Sequence, residues 1–248
     1  MKTVLPCFVF IASLCSASLA QVPETGRWQD LDFSKSDVSS RTDDQYWDML
    51  VDLSKQGRLD DDPTVLGRVK SIASGLIQAA ATIKPEIAAW NWEIHTTSAP
   101  GIDAFCMAGG KLMVGSEFVR KLQFDDGELA TLIGHEVAHA VADHHREFLS
   151  SVLHISPLPA TSLDVTISRL DSDLSLQMRM ASLSSIQESE ADQLGMILTH
   201  RAGWPAAAMV SFYRKLVATE KPSILAASHP SATSRLSMAK GMAALLEP

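Results

Sequence analysis

An α+β fold, mostly helical with a small antiparallel sheet, is predicted by three observations. Apolar residues recur at three- and four-residue spacing over several long stretches, the period of a buried helical stripe. Residues 92–96 alternate instead, and residues 102–107 and 111–115 flank Gly109-Gly110 as the arms of a hairpin would. With 248 residues, 46% apolar and 20% charged, the chain can bury one sizeable core.

The elements follow in order. Lys2, an apolar run over 4–14, and small residues at Ser18 and Ala20 read as a signal peptide over 1–20, cleaved after Ala20. The run is too short to remain as a membrane span. Leu14-Cys15 makes a poor lipidation box, because the residue before the cysteine should be small. Residues 21–42 are polar, contain Pro23 and Gly26, and read as a leader or linker before a domain over 43–248. Helices are expected at 46–53 and 65–83, the second started by Asp62-Pro63 and stopped before Pro85. The strand and hairpin come next. An acidic start, Asp125-Asp126-Gly127-Glu128, then opens a helix with Leu129, Leu132, Ile133, Val137, Ala140 and Val141 on its buried stripe. Residues 146–187 form an insertion that Ser156-Pro157-Leu158-Pro159 breaks into helical pieces, either a lid over a cleft or a hairpin packed on the core. Further helices are expected at 183–200, from Pro205 to about Thr219, and from Ser231 through Leu246.

His135-Glu136-Val137-Ala138-His139 carries the chemistry. It reads HExxH. Histidines four apart on a helix nearly eclipse, so His135 and His139 can present two imidazoles to one zinc ion. Glu136 points to the side of that ion and can take a proton from water activated there.

A catalytic zinc usually takes three protein ligands. His145 sits where a longer HExxHxxGxxH pattern puts its third histidine, but Ala142 stands in place of the glycine that lets the chain leave the helix. If the helix continues, His145 lies off the metal face. The other candidate is Glu188, on the 183–200 helix, with Asp192 one turn later on the same face as the group that orients a ligating histidine. Glu190, on another face, is the fallback ligand.

These motifs together resemble metallopeptidase family 48, the zinc endopeptidases of HtpX and CAAX-prenyl-protease type, and within it the soluble bacterial envelope branch, LoiP-like or BepA-like. The resemblance rests on Asp103-Ala104-Phe105 followed by Gly109-Gly110; on Glu128-Leu129-Ala130 leading into HExxH with His144 after it; on Glu188-Ser189-Glu190-Ala191-Asp192; and on His229-Pro230 with Arg235 beyond. It covers about half the chain and implies a gluzincin-type domain with Zn2+ on His135, His139 and Glu188. It departs from the family at Asp103, Ala108 and Asp143, none of which removes a ligand. The resemblance also implies that the segment with His229 lies over the site, where His229 could fill the open zinc position and Arg235 could stabilise an oxyanion. In peptidases of this kind an outer strand lies beside the cleft, and Leu112, Met113 and Val114 are the expected backbone partners of an extended substrate.

Composition bounds the setting. The formal charge is −8, and loss of the signal segment, which carries Lys2 and no acid, makes it −9. That argues against nucleic acid and anionic lipid as partners. Cys7 and Cys15 leave with the signal, so Cys106 has no disulfide partner and reads as a small buried residue. The expected function is zinc-dependent hydrolysis of unfolded or misassembled exported proteins in the periplasm. Peripheral contact with the envelope membrane or outer-membrane assembly machinery is implied by the resemblance. The alternative is a periplasmic chaperone or assembly factor with a structural or regulatory zinc.

Overall fold

The structure, a computed structural model, describes residues 18–158, 161–219 and 230–247. Helix α4 (Asp126–Val141) carries the HExxH motif. Its start is fixed by a reciprocal cap: Glu128 N–H donates to Asp125 Oδ1 at 2.8 Å, and Asp125 N–H donates to Glu128 Oε2 at 2.9 Å. Such a cap contributes about 1 kcal/mol. Leu129, Ile133 and Val137 are fully buried. They share one core with residues of α2 (Pro63–Ala81), α7 (Leu174–Arg201), α8 (Ala206–Thr219) and α9 (Ala232–Leu246). The site helix is therefore held on several sides.

The end of α4 differs from expectation. The chain leaves the helix at Ala142, Asp143 adopts a left-handed φ of 54°, and a new helix, α5 (His144–Ile155), begins. Asp is among the few non-glycine residues that tolerate this conformation. Lys84 Nζ donates to Val141 O at 3.0 Å and pairs with Asp143, placing a cation at the negative end of α4.

The sheet is a hairpin, β4 (Ala104–Met107) with β5 (Lys111–Gly115), plus β3 (Glu93–Thr97), and a short helix, α3 (Ser116–Lys121), leads from β5 toward α4. The hairpin is antiparallel, but β3 pairs parallel to β5, so the order is β3-β5-β4. This corrects the expected substrate strand. Leu112, Met113 and Val114 lie on the central strand, fully buried, with a neighbour strand on each side. The outer strand on the α4 side is β4. Alternation identified the strands but did not reveal which of them lay at the edge.

Residues 21–42 are built structure rather than a leader. Strand β1 (Ser18–Gln21) pairs antiparallel with β2 (Trp28–Leu31), and α1 (Lys35–Lys55) follows. Val22, Leu31 and Val38 are buried. Arg146 on α5 donates to the Phe33 carbonyl at 2.6 Å and the Leu31 carbonyl at 3.2 Å, fastening this segment. The cleavage point expected after Ala20 falls inside β1.

The insertion comprises α5, α6 (Leu163–Ser172) and the first turns of α7, which runs unbroken for 28 residues. Val152, Leu176 and Met180 give it a small core of its own. Among the described residues no helix is long and apolar enough to cross a membrane.

Candidate metal centre

Two glycines bring α4 and α7 together. A Cβ on Gly195 would lie 2.8 Å from both the Cα and the N of His135, and one on Gly134 would lie 2.3 Å from Thr199 Oγ1 and 3.0 Å from Gly195 O. Only residues without a side chain allow the backbones this close. The contact lies less than two turns from Glu188, and so carries that carboxylate to the two imidazoles.

His135 Nε2 lies 3.1 Å from His139 Nε2. The two carboxylate oxygens of Glu188 lie 3.4 Å from His135 Nε2 and 3.4 Å from His139 Nε2. Three donors bound at ~2.0–2.1 Å at corners of a tetrahedron stand about 3.3–3.4 Å apart. Each imidazole faces one oxygen of the Glu188 carboxylate at that spacing, and the donor types, two imidazoles and one carboxylate, fit one divalent cation. Among the described residues these three form the metal-ligand cluster.

Asp192 Oδ1 lies 2.9 Å from His135 Nδ1, an arrangement that aims Nε2 at the cluster. Burial alone would raise the Asp192 pKa, but His135 and then Arg235 outweigh it and lower the pKa to about 2. Burial would lower that of His135, but Asp192 and Glu188 overcome this and raise it to about 10. Asp192 is buried and Glu188 half-buried, so positive charge at the site is favourable. Arg235 reaches the site and lines its cavity. Its Nε and Nη2 bind Asp192 at 2.8 and 2.6 Å, and Tyr213 Oη donates to Asp192 Oδ1 at 2.8 Å. Arg235 thus acts by holding Asp192. His229 lies outside the described residues.

The other candidates for third ligand are placed elsewhere. Glu190 faces away, taking hydrogen bonds from Thr25 and Arg27 at 2.9 Å each. Burial would raise its pKa, but His144, Arg27 and Thr25 together lower it to about 2. His145 is absent from the cluster, and burial lowers its pKa. The break at Ala142 instead carries His144 inward, with its Nδ1 3.0 Å from His139 Nδ1.

Glu136 and the ligands open onto a cavity of about 650 Å³, bordered by β4 through Ala104 and Cys106 and by the insertion through Phe148. The insertion is thus both a packed hairpin and a wall of the cleft. Cys106 is a free thiol whose pKa burial raises.

The model of peptidase family M48 matches residues 63–243. The chain belongs to peptidase family M48.

The M48 domain is similar to the mitochondrial metalloendopeptidase OMA1 of Arabidopsis thaliana, 32% identical over 126 residues, which is 51% of this chain and 26% of the relative. It is 28% identical to human OMA1 over 194 residues, 73% of this chain and 36% of the relative. It is 26% identical to the beta-barrel assembly-enhancing protease of Yersinia pestis over 205 residues, 75% of this chain and 40% of the relative. In these three comparisons the chain spans between about a quarter and two fifths of the relatives' length. Tyr213, Glu147 and Arg27 contact the residues around the centre but carry no sequence signal. Tyr213 sits in an apolar helix, and Arg27 lies 163 residues from its partner Glu190.

Proposed function

We propose that the chain is a zinc-dependent endopeptidase that cleaves unfolded or misassembled exported proteins in the cell envelope. The observation that carries this reading is the convergence of His135 Nε2, His139 Nε2 and the Glu188 carboxylate beside Glu136 on a cavity wall. Bound there, zinc supplies Lewis acidity for a peptide carbonyl and lowers the pKa of water toward ~7. Glu136 takes the proton from the attacking water and delivers it to the leaving amine. Asp192, braced by Tyr213 and Arg235, keeps the proton of His135 on Nδ1, so that Nε2 stays a ligand.

The substrate lies along β4. Gly115 N–H donates to Asp103 O at 2.8 Å, and Ala104 is opposite Val114. Antiparallel pairing alternates, so the peptide groups of Ala104 and Cys106 point away from β5, toward the open edge. An extended peptide adds a strand there, which accepts many sequences because the backbone does the binding. An unfolded protein offers such segments and a folded one does not. The expected signal segment and the likeness to the bacterial beta-barrel assembly-enhancing protease support the envelope as the place of action.

Digestion of casein tests this reading. The purified protein is expected to cleave casein, to stop with a chelator, and to recover with zinc. Ala104→Pro removes one outward N–H and should lower kcat/KM about tenfold, the worth of one hydrogen bond, with zinc content unchanged. Casein left intact by zinc-loaded protein contradicts the endopeptidase assignment. Unchanged kcat/KM in Ala104→Pro contradicts the strand-addition geometry.

A further inference from the structure

The described N-terminal hairpin reaches the metal centre through a continuous chain of polar contacts. Arg27 Nε lies 2.9 Å from Glu190 Oε1 and 3.0 Å from Oε2, and its Nη2 lies 2.8 Å from Oε2. The same guanidinium turns its Nη1 and Nη2 to Glu147, with Nη2 at 2.8 Å from Oε2. Thr25 Oγ1 adds a bond to Glu190 at 2.9 Å. Gln187 ties Glu147 to the His144 carbonyl, at 2.7 and 3.0 Å. Glu190 Oε2 stands 3.3 Å from His144 Nε2, an electrostatic contact whose alignment falls short of a full hydrogen bond. His144 Nδ1 stands 3.0 Å from His139 Nδ1.

The proton positions along this line are dictated by the ligand. A metal on His139 Nε2 requires the proton of that ring on Nδ1. Two Nδ1 atoms 3.0 Å apart share one proton, so His139 donates and His144 accepts. The proton of His144 must then sit on Nε2, facing Glu190. A carboxylate there favours that tautomer, and Arg27 with Thr25 fixes where the carboxylate stands. Asp192 orients His135 directly, whereas the neighbour that His139 Nδ1 meets among the described residues is His144, and this relay takes that place.

We propose that Arg27 and Thr25 are positioning residues for the ligand His139, acting through Glu190 and His144, so that the N-terminal hairpin helps set metal affinity. This rests on the reading of His139 as a zinc ligand. It also gives residues just after the expected cleavage point a part in the centre more than a hundred residues away. Neither Thr25 nor Arg27 lies within residues 63–243, the region that matches the family. The relay thus begins outside the matched region and ends within it.

The test is zinc affinity, measured by competition with a chromophoric chelator, and the visible spectrum of the cobalt-substituted protein. Apo-protein Tm is recorded beside them. Arg27→Met and Glu190→Gln are each expected to weaken zinc binding about 10- to 100-fold, the usual effect of losing a group that orients a ligand, and to shift the cobalt bands. Arg27→Lys keeps a charge without the forked geometry and should fall between wild type and Arg27→Met. A purely structural role would lower Tm and leave affinity and spectrum of the folded protein unchanged. Zinc affinities within twofold of wild type in Arg27→Met and Glu190→Gln overturn the proposal. Should Arg27→Met not fold, the near-isosteric Glu190→Gln decides alone. If wild type itself fails to bind zinc, the reading of the centre falls and this inference with it.

Discussion

Glu136→Gln is expected to keep one zinc per chain and to lower kcat by about 10²- to 10⁴-fold, the range contributed by a positioned acid–base group. The substitution preserves shape and helix preference, and Glu136 is not among the three converging ligands, so metal content has no reason to change. The amide that replaces the carboxylate cannot take a proton from water or hand one to the leaving amine. KM should move little, because the bound peptide is held by β4 and the cavity walls. Zinc analysis with peptide-cleavage kinetics on the same preparations checks this. Turnover near wild type would remove Glu136 from the chemistry. Lost zinc would make it a structural element of the centre. A variant that binds unfolded protein without cutting it would also separate the peptidase from a chaperone built on the same cleft.

Gly195→Ala is expected to damage the centre from a distance. The added methyl would sit 2.8 Å from two backbone atoms of His135 and 3.0 Å from the carbonyl carbon of Gly134. No side chain there can swing aside, so α4 and α7 must separate by roughly 0.6–1 Å to reach ordinary contact. Metal sites tolerate about 0.5 Å of misplacement, and here one helix carries two ligands and the other carries the third. Zinc affinity should drop by at least about tenfold. Stability should fall by about 1–3 kcal/mol from overpacking, offset in part by about 1 kcal/mol of better helix propensity. Gly75→Ala, on α2 with open space around the new methyl, is the comparison and should stabilise by about 0.4–1 kcal/mol. Zinc titration and thermal unfolding of the two variants separate the effects. A Gly195→Ala protein with wild-type zinc affinity would show that the helix contact does not set the ligand geometry.

What the sequence disclosed, and what it hid, follows from the range of the interactions. His135, Glu136 and His139 share one helical turn, so their common face can be read from spacing alone. Glu188 and Asp192 lie on a second helix, where spacing shows that they share a face, and only packing through Gly134 and Gly195 shows that this face meets the histidines. The hairpin was legible from Gly109-Gly110, whereas strand order was not, because alternation is the same at the centre and at the edge of a sheet. That is why Leu112–Val114 took a role that the geometry gives to β4. The turn at Asp143 was hidden by Ala142, which has high helix propensity, and the turn is what brings His144 rather than His145 to the centre. Arg27 looks like part of a polar leader in the sequence because its partners, Glu147 and Glu190, are 120 and 163 residues away.

The central claim is that His135, His139 and Glu188, brought from two helices, hold one zinc ion. Zinc stoichiometry of the purified wild type and of Glu188→Gln, after dialysis against a weak chelator, tests it most directly. One zinc per wild-type chain and less than about a tenth of that in a folded Glu188→Gln protein is the expected result, since a neutral amide is a far poorer zinc ligand than a carboxylate. Full zinc occupancy in Glu188→Gln would contradict it.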